Sequence, residues 1–155
     1  MNEKFMRKAI ELSIANVKNN TGGPFGAVIV RNGEIIATGA NSVTNKNDPT
    51  AHAEVEAIRN ACQILGTFQL DDCEIYTSCE PCPMCLGAIY WSRPKAVYYG
   101  NTKKDAAKIN FDDQFIYDEL DLPLTQRNLK MTQLLPEEAI EAFELWKNSM
   151  EKVEY

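Results

Sequence analysis

Two short clusters, His52-Ala53-Glu54 and Pro81-Cys82-Pro83-Met84-Cys85, constrain this chain more than any other feature. Each opens a predicted helix, and together they supply one imidazole and two thiolates. Cys82 and Cys85 are three residues apart, so on a helix they share a face and reach a common ion, and the positive helix N-terminus favours their ionised form. Such a donor set suits tetrahedral zinc. Three protein ligands leave the fourth position to water, which separates a catalytic zinc site from a closed structural one, and the ion would lower that water's pKa toward neutrality. Glu54, two positions after the histidine, can reach the water without being a ligand and shuttle its protons. Cys79 extends the pair into a Cys-x-x-Cys-x-x-Cys run that would suit an iron–sulfur cluster, but no suitably placed fourth cysteine follows. Pro81 separates Cys79 from the helix and puts it at a strand end, while Cys62 and Cys73 read as small core residues.

The rest of the chain supplies a frame for these clusters. Phe5, Met6, Ala9, Ile10, Ile14 and Val17 recur at helical spacing between Asn2 and Lys18 and predict an amphipathic helix. After Thr21-Gly22-Gly23-Pro24, the runs Ala27 to Val30 and Ile35 to Thr38 flank Asn32-Gly33 and predict an antiparallel hairpin. A polar loop from Asn41 to Thr50 leads into a helix from about Ala51 that ends before Gly66 and carries His52 in its first turn. Glu74 to Ser78 as strand, Cys82 to about Trp91 as helix and Ala96 to Tyr99 as strand make a crossover, which requires parallel pairing. Hairpin first and crossover after predict a mixed sheet covered by helices, with reactive groups collected where helix N-termini meet strand ends. Ala139, Ile140, Ala142, Phe143 and Trp146 give a C-terminal helix opened by Pro136 and two glutamates.

Composition narrows the partners. The 155 residues fit one domain, and 22 acidic against 16 basic residues give a formal charge of −6, without the positive field that phosphate-backbone binders use. The expectation is therefore no nucleic acid, and no apolar run is long enough to predict a membrane span. Five cysteines, an odd number clustered mid-chain, fit a reducing, cytoplasmic setting with free thiols.

Histidine-x-glutamate followed by Pro-Cys-x-x-Cys is the signature of zinc deaminases. Pro24-Phe25-Gly26-Ala27, the run from Asn47 to Glu54, the run from Thr77 to Cys85, and Phe111-Asp112-Asp113 extend the likeness. On these residues the chain resembles the bacterial guanine deaminases of the cytidine deaminase superfamily, densely from Gly22 to about Tyr117, thinly from Leu120 to Met150, and again at Tyr155. The resemblance implies an α/β class protein with a three-layer α/β/α fold around a mixed sheet. It implies one zinc per subunit on His52, Cys82 and Cys85, with Glu54 as the main proton shuttle. Asn41 would hydrogen-bond the base, Phe25 and Trp91 would wall a planar purine, Asp113 would serve as a second carboxylate near the leaving amine, and Tyr155 would enter the pocket from the tail. The whole chain would be one domain whose segment from about 120 to 155 crosses to a neighbour in a domain-swapped homodimer. The implied reaction is hydrolysis of guanine to xanthine and ammonia, a step of purine catabolism or salvage.

The zinc motif alone leaves guanosine, cytosine and adenosine in transfer RNA open as substrates. Phe111-Asp112-Asp113, the terminal tyrosine and the acidic charge favour guanine, since transfer-RNA editing calls for basic residues where Glu141, Glu144, Glu151 and Glu154 stand. A non-catalytic zinc-binding module is the alternative of another class; it would need a fourth protein ligand and has no use for Glu54.

Overall fold

The computed structural model describes residues 2–155. In chain order the elements are α1 (Glu3–Lys18), β1 (Gly26–Arg31), β2 (Glu34–Ala40), α2 (Val43–Lys46), α3 (Ala53–Leu65), β3 (Cys73–Cys79), α4 (Pro83–Ser92), β4 (Ala96–Asn101), α5 (Lys103–Ala107), α6 (Gln114–Asp121), a 3-10 turn (Leu124–Gln126) and α7 (Pro136–Asn148). They fall into two compact units, one reaching Gln114 and one spanning Phe115–Tyr155.

The first unit is built on a four-stranded sheet in the order β2-β1-β3-β4. β1 pairs antiparallel with both β2 and β3, and β3 pairs parallel with β4 across α4, so the sheet is mixed. The hairpin turns on Asn32 and Gly33, whose φ values of 52° and 79° are both left-handed. A two-residue turn needs this to follow the strand twist, and Asn-Gly adopts it with little strain. β1 is buried on both faces. Ala27 and Ile29 join Ala37, Ile75, Ile89 and the alanines of α3 in one core layer, while Val28 and Val30 join Phe5 of α1 and Tyr76 in the other. Strand alternation therefore places α1 over one face and α3 with α4 over the opposite face, giving three layers.

Close helix–sheet approach sets the position of the site. A Cβ at Gly39 of β2 would lie 2.1 Å from the Ala53 carbonyl oxygen and 2.5 Å from the Ala57 nitrogen. The buried face of α3 is correspondingly small, with Ala53, Ala57 and Ala61 fully enclosed. Backbone packs almost on backbone, and the start of α3 is pinned to the sheet.

The same effect corrects the reading of α1. Its buried face is Phe5, Ala9, Ser13 and Asn16, while Ile10, Ile14 and Val17 lie exposed on its outer side. A Cβ at Gly26 would stand 2.5 Å from the Ala9 carbonyl, so the helix sits too close to β1 for isoleucine there and turns its small face inward. The polar loop after β2 also holds more structure than its composition predicts: the short helix α2, closed by left-handed Asn47.

In the second unit neither α6 nor α7 has a buried residue. Within it, Arg127 donates to the Leu122 and Leu120 carbonyls at 3.0 and 3.1 Å, and the Asn128 amide donates to Glu119 at 2.6 Å. Phe143 and Trp146 are exposed. Among the described residues, no helix is long and apolar enough to cross a membrane.

Candidate metal centre and active site

Two helix starts converge. His52 and Cys82 are the N-cap residues of α3 and α4, not members of their first turns as the sequence suggests. Pro83 explains the second case: it opens α4 and excludes helical backbone from the residue before it, so Cys82 is extended at φ −67°, ψ 168°. Cys85, one turn further on, points to the same place. The Sγ atoms of Cys82 and Cys85 each lie 3.5 Å from His52 Nδ1. Among the described residues, only these three form a cluster of potential metal ligands, with donor atoms within 4.8 Å of one another.

The donor set fits zinc. Bond lengths of about 2.3 Å to sulfur and about 2.0 Å to nitrogen at tetrahedral angles require a nitrogen–sulfur edge of about 3.5 Å, which is the separation observed. The protonation pattern also suits a cation. The hydrogen bond from Cys85 holds the Cys82 thiol down to about 4, with His52 adding to the effect against burial. The same bond, with burial and the Glu54 charge, holds the Cys85 thiol far up. A divalent ion bound between the two sulfurs would displace the thiol proton they hold. The Cys82 contact also raises His52, against burial.

Glu54 sits beside this cluster, 5% exposed. Thr77 of β3 donates to its Oε1 at 2.9 Å, and the Cys85 thiol approaches its Oε2 at 3.4 Å. Burial pushes the Glu54 carboxyl up, partly offset by these hydrogen bonds. A carboxyl raised by burial holds a proton more readily than a solvated one, as a group that must accept and return a proton needs. Thr77 escaped the sequence reading. Its signal was available: on β3 the alternation puts Cys73, Ile75, Thr77 and Cys79 on one face, and Thr77 is the fully buried hydroxyl there. Cys79 stays outside the cluster, its thiol directed at the Thr102 carbonyl at 3.7 Å.

The residues expected around a base divide into two groups. Asn41 is buried, and its backbone N–H donates to the Phe25 carbonyl at 3.1 Å, while Ser42 next to it donates to the Ala51 carbonyl at 2.9 Å. Phe25 packs edge-on against Phe111, ring centroids 5.0 Å apart. Two residues on, Asp113 is half-buried, and desolvation, with a smaller contribution from the Cys82 charge, raises its carboxyl. Phe25 and Asn41 are thus tied to each other, and the residue after Asn41 is tied to the one before His52. Trp91 lies near the end of α4, six residues beyond Cys85, and is 63% exposed. Tyr155 is exposed at the end of the second unit.

A histidine and two cysteines at converging helix starts, backed by a buried glutamate, are the site of a zinc-binding deaminase. The chain belongs to that family: the cytidine and deoxycytidylate deaminase zinc-binding region matches residues 1–101. Guanine deaminase from Bacillus subtilis (strain 168) is 56% identical over 153 residues, which cover 99% of this chain and 98% of that one. The X-ray structure of guanine deaminase from Bacillus subtilis superposes with a TM-score of 0.97 at 56% identity, covering 100% of this chain and 99% of the other. A tRNA-specific adenosine deaminase from Aquifex aeolicus (strain VF5) is 40% identical over 119 residues, 76% of each chain. The protein NE0047, solved in complex with 2,6-diaminopurine, is 36% identical with a TM-score of 0.67, over 70% of this chain and 61% of that one.

Proposed function

We propose that this chain hydrolyses guanine to xanthine and ammonia, using one zinc ion per subunit held by His52, Cys82 and Cys85. The observation that carries the substrate is the reach of the likeness: identity to guanine deaminase runs through the C-terminal unit, whereas the tRNA-specific relative matches 119 residues. When bound, zinc supplies a Lewis acid that makes a coordinated water acidic near neutral pH.

The side chains do the rest. Glu54 takes the water's proton as its oxygen adds to C2 and passes that proton to ring nitrogen N3, so C2 becomes tetrahedral and carries both hydroxyl and amine. The hydroxyl proton then moves to the amine through the carboxylates, with Asp113 as second carrier. Ammonia leaves with its bonding pair, C2 becomes a carbonyl, and N3 keeps its hydrogen. Asn41 holds the base, and Phe25, braced by Phe111, offers an apolar wall. The reaction belongs to purine catabolism or salvage, in the cytoplasm. Ammonia release by zinc-loaded protein tests the substrate: guanine turnover is expected to exceed that of guanosine, adenine, cytosine, cytidine and a transfer-RNA anticodon stem by about 100-fold or more, the discrimination a polar recognition site can supply. Preference for another ring would keep the zinc chemistry and discard guanine.

The C-terminal unit supports a homodimer in which the segment from about 120 to 155 is exchanged, bringing the partner's tail tyrosine into each pocket. Leu134, Phe143, Leu145, Trp146 and Tyr155 are all exposed in the single chain. So much apolar surface on 41 residues is costly in water and calls for a second surface. Light scattering at assay concentration is expected to give twice the 17.4 kDa chain mass. A fully active monomer would reject the exchange.

A further inference from the structure

We propose that Asn16, a buried side chain of α1, is a positioning residue for base recognition: it locks Asn41 so that the Asn41 amide meets the purine as a hydrogen-bond donor. The proposal rests on the guanine-site reading above. Asn16 is 6% exposed and stands on the buried face of α1. Its Nδ2 donates to the Gly23 carbonyl at 2.7 Å and the Asn41 carbonyl at 2.9 Å, and its Oδ1 accepts from the Thr21 hydroxyl at 2.6 Å. Two carbonyl partners require the nitrogen on that side, so the amide orientation follows from chemistry.

The loop so held is tight. A Cβ at Gly22 would lie 2.1 Å from the Asn41 carbonyl oxygen and 2.9 Å from Asn16 Nδ2, and one at Gly23 would press on Phe111 and Phe25 at 3.4 Å each. The loop therefore fills the space between Asn41 and the aromatic pair. Gly23 N–H in turn donates to Asn41 Oδ1 at 3.3 Å. With that oxygen engaged, the remaining side of the Asn41 amide is its NH2, which has no partner among the described residues and selects a ring carbonyl or an unprotonated ring nitrogen over an amino group. Removing Asn16 leaves the buried Asn41 carbonyl unpaired and the Gly23 carbonyl with only its bond from the Phe25 N–H, and it frees the loop to turn the amide over.

Steady-state kinetics of the zinc-loaded, full-length Asn16→Asp, Asn41→Ala and double variants test this. Asn16→Asp keeps the shape and replaces the donor with an acceptor facing two carbonyls. It is expected to raise KM for guanine about tenfold while kcat stays within about threefold, the pattern of lost ground-state binding. Zinc content is expected to be unchanged, and the double variant no worse than Asn41→Ala alone. A folded Asn16→Asp enzyme with the original KM, or effects that multiply in the double variant, would overturn the proposal. Should Asn16→Asp fail to fold, Thr21→Val removes only the hydroxyl that holds Asn16 and decides the matter in its place: a KM raised about threefold supports the lock, and an unchanged KM rejects it. An Asn41→Ala enzyme with unchanged KM would sink the base-recognition reading and the proposal together, whereas a KM sensitive to Asn41 but not Asn16 sinks the proposal alone.

Discussion

Glu54→Gln is expected to cut guanine turnover by about 10⁴-fold, the upper end of what a positioned acid–base group contributes. The same carboxyl serves successive proton transfers, so its loss is felt at each of them. Glutamine has the same shape, and its carbonyl can keep accepting the Thr77 hydroxyl that now reaches Glu54 Oε1 at 2.9 Å. The fold and the metal content should therefore survive. Ammonia release under single-turnover conditions, alongside the zinc content of the purified variant, separates the two effects. A variant retaining more than about a tenth of the activity would show that Glu54 is not the shuttle, while loss of zinc with activity would make Glu54 a ligand instead.

Cys85→Ala is expected to abolish turnover by abolishing the metal site. Cys85 is 1% exposed, and its sulfur is one of three donors gathered around a single point. Two donors in place of three lose most of the affinity, and because the metal binds the folded chain only, its loss also lowers thermal stability. Zinc content is expected to fall from about one per chain to below about 0.1, with a lowered Tm matching that of wild-type protein stripped by chelator. Cys79→Ser serves as the control. Its thiol faces the Thr102 carbonyl and not the cluster, so zinc and activity should both persist. Zinc lost from Cys79→Ser but kept by Cys85→Ala would assign the ligands the other way.

Both predictions depend on the enclosure of reactive groups that sequence makes visible only in part. His52, Glu54, Cys82 and Cys85 were legible because their types and spacing are tied to metal and proton chemistry. Thr77 and Asn16 were not, since a threonine in a strand and an asparagine in a helix carry no such spacing rule and take their roles from partners 23 and 25 residues away. The sequence reading starts each ligand-bearing helix one or two residues early; for α4 the signal was present in Pro83, which keeps Cys82 extended, whereas nothing local marks His52 as the cap of α3.

What the sequence determined by itself is local. Asn32-Gly33 dictated the hairpin, Pro83 dictated an extended Cys82, and the crossover length dictated a parallel β3–β4 pair. Tertiary structure decided the distances of approach. Gly26 and Gly39 let α1 and α3 lie with backbone against the sheet, and this close packing, invisible in a hydrophobic pattern, turned Ile10, Ile14 and Val17 outward and fixed where His52 meets Cys82 and Cys85. Spacing along a chain sets which groups can share a face; only packing sets which of them touch.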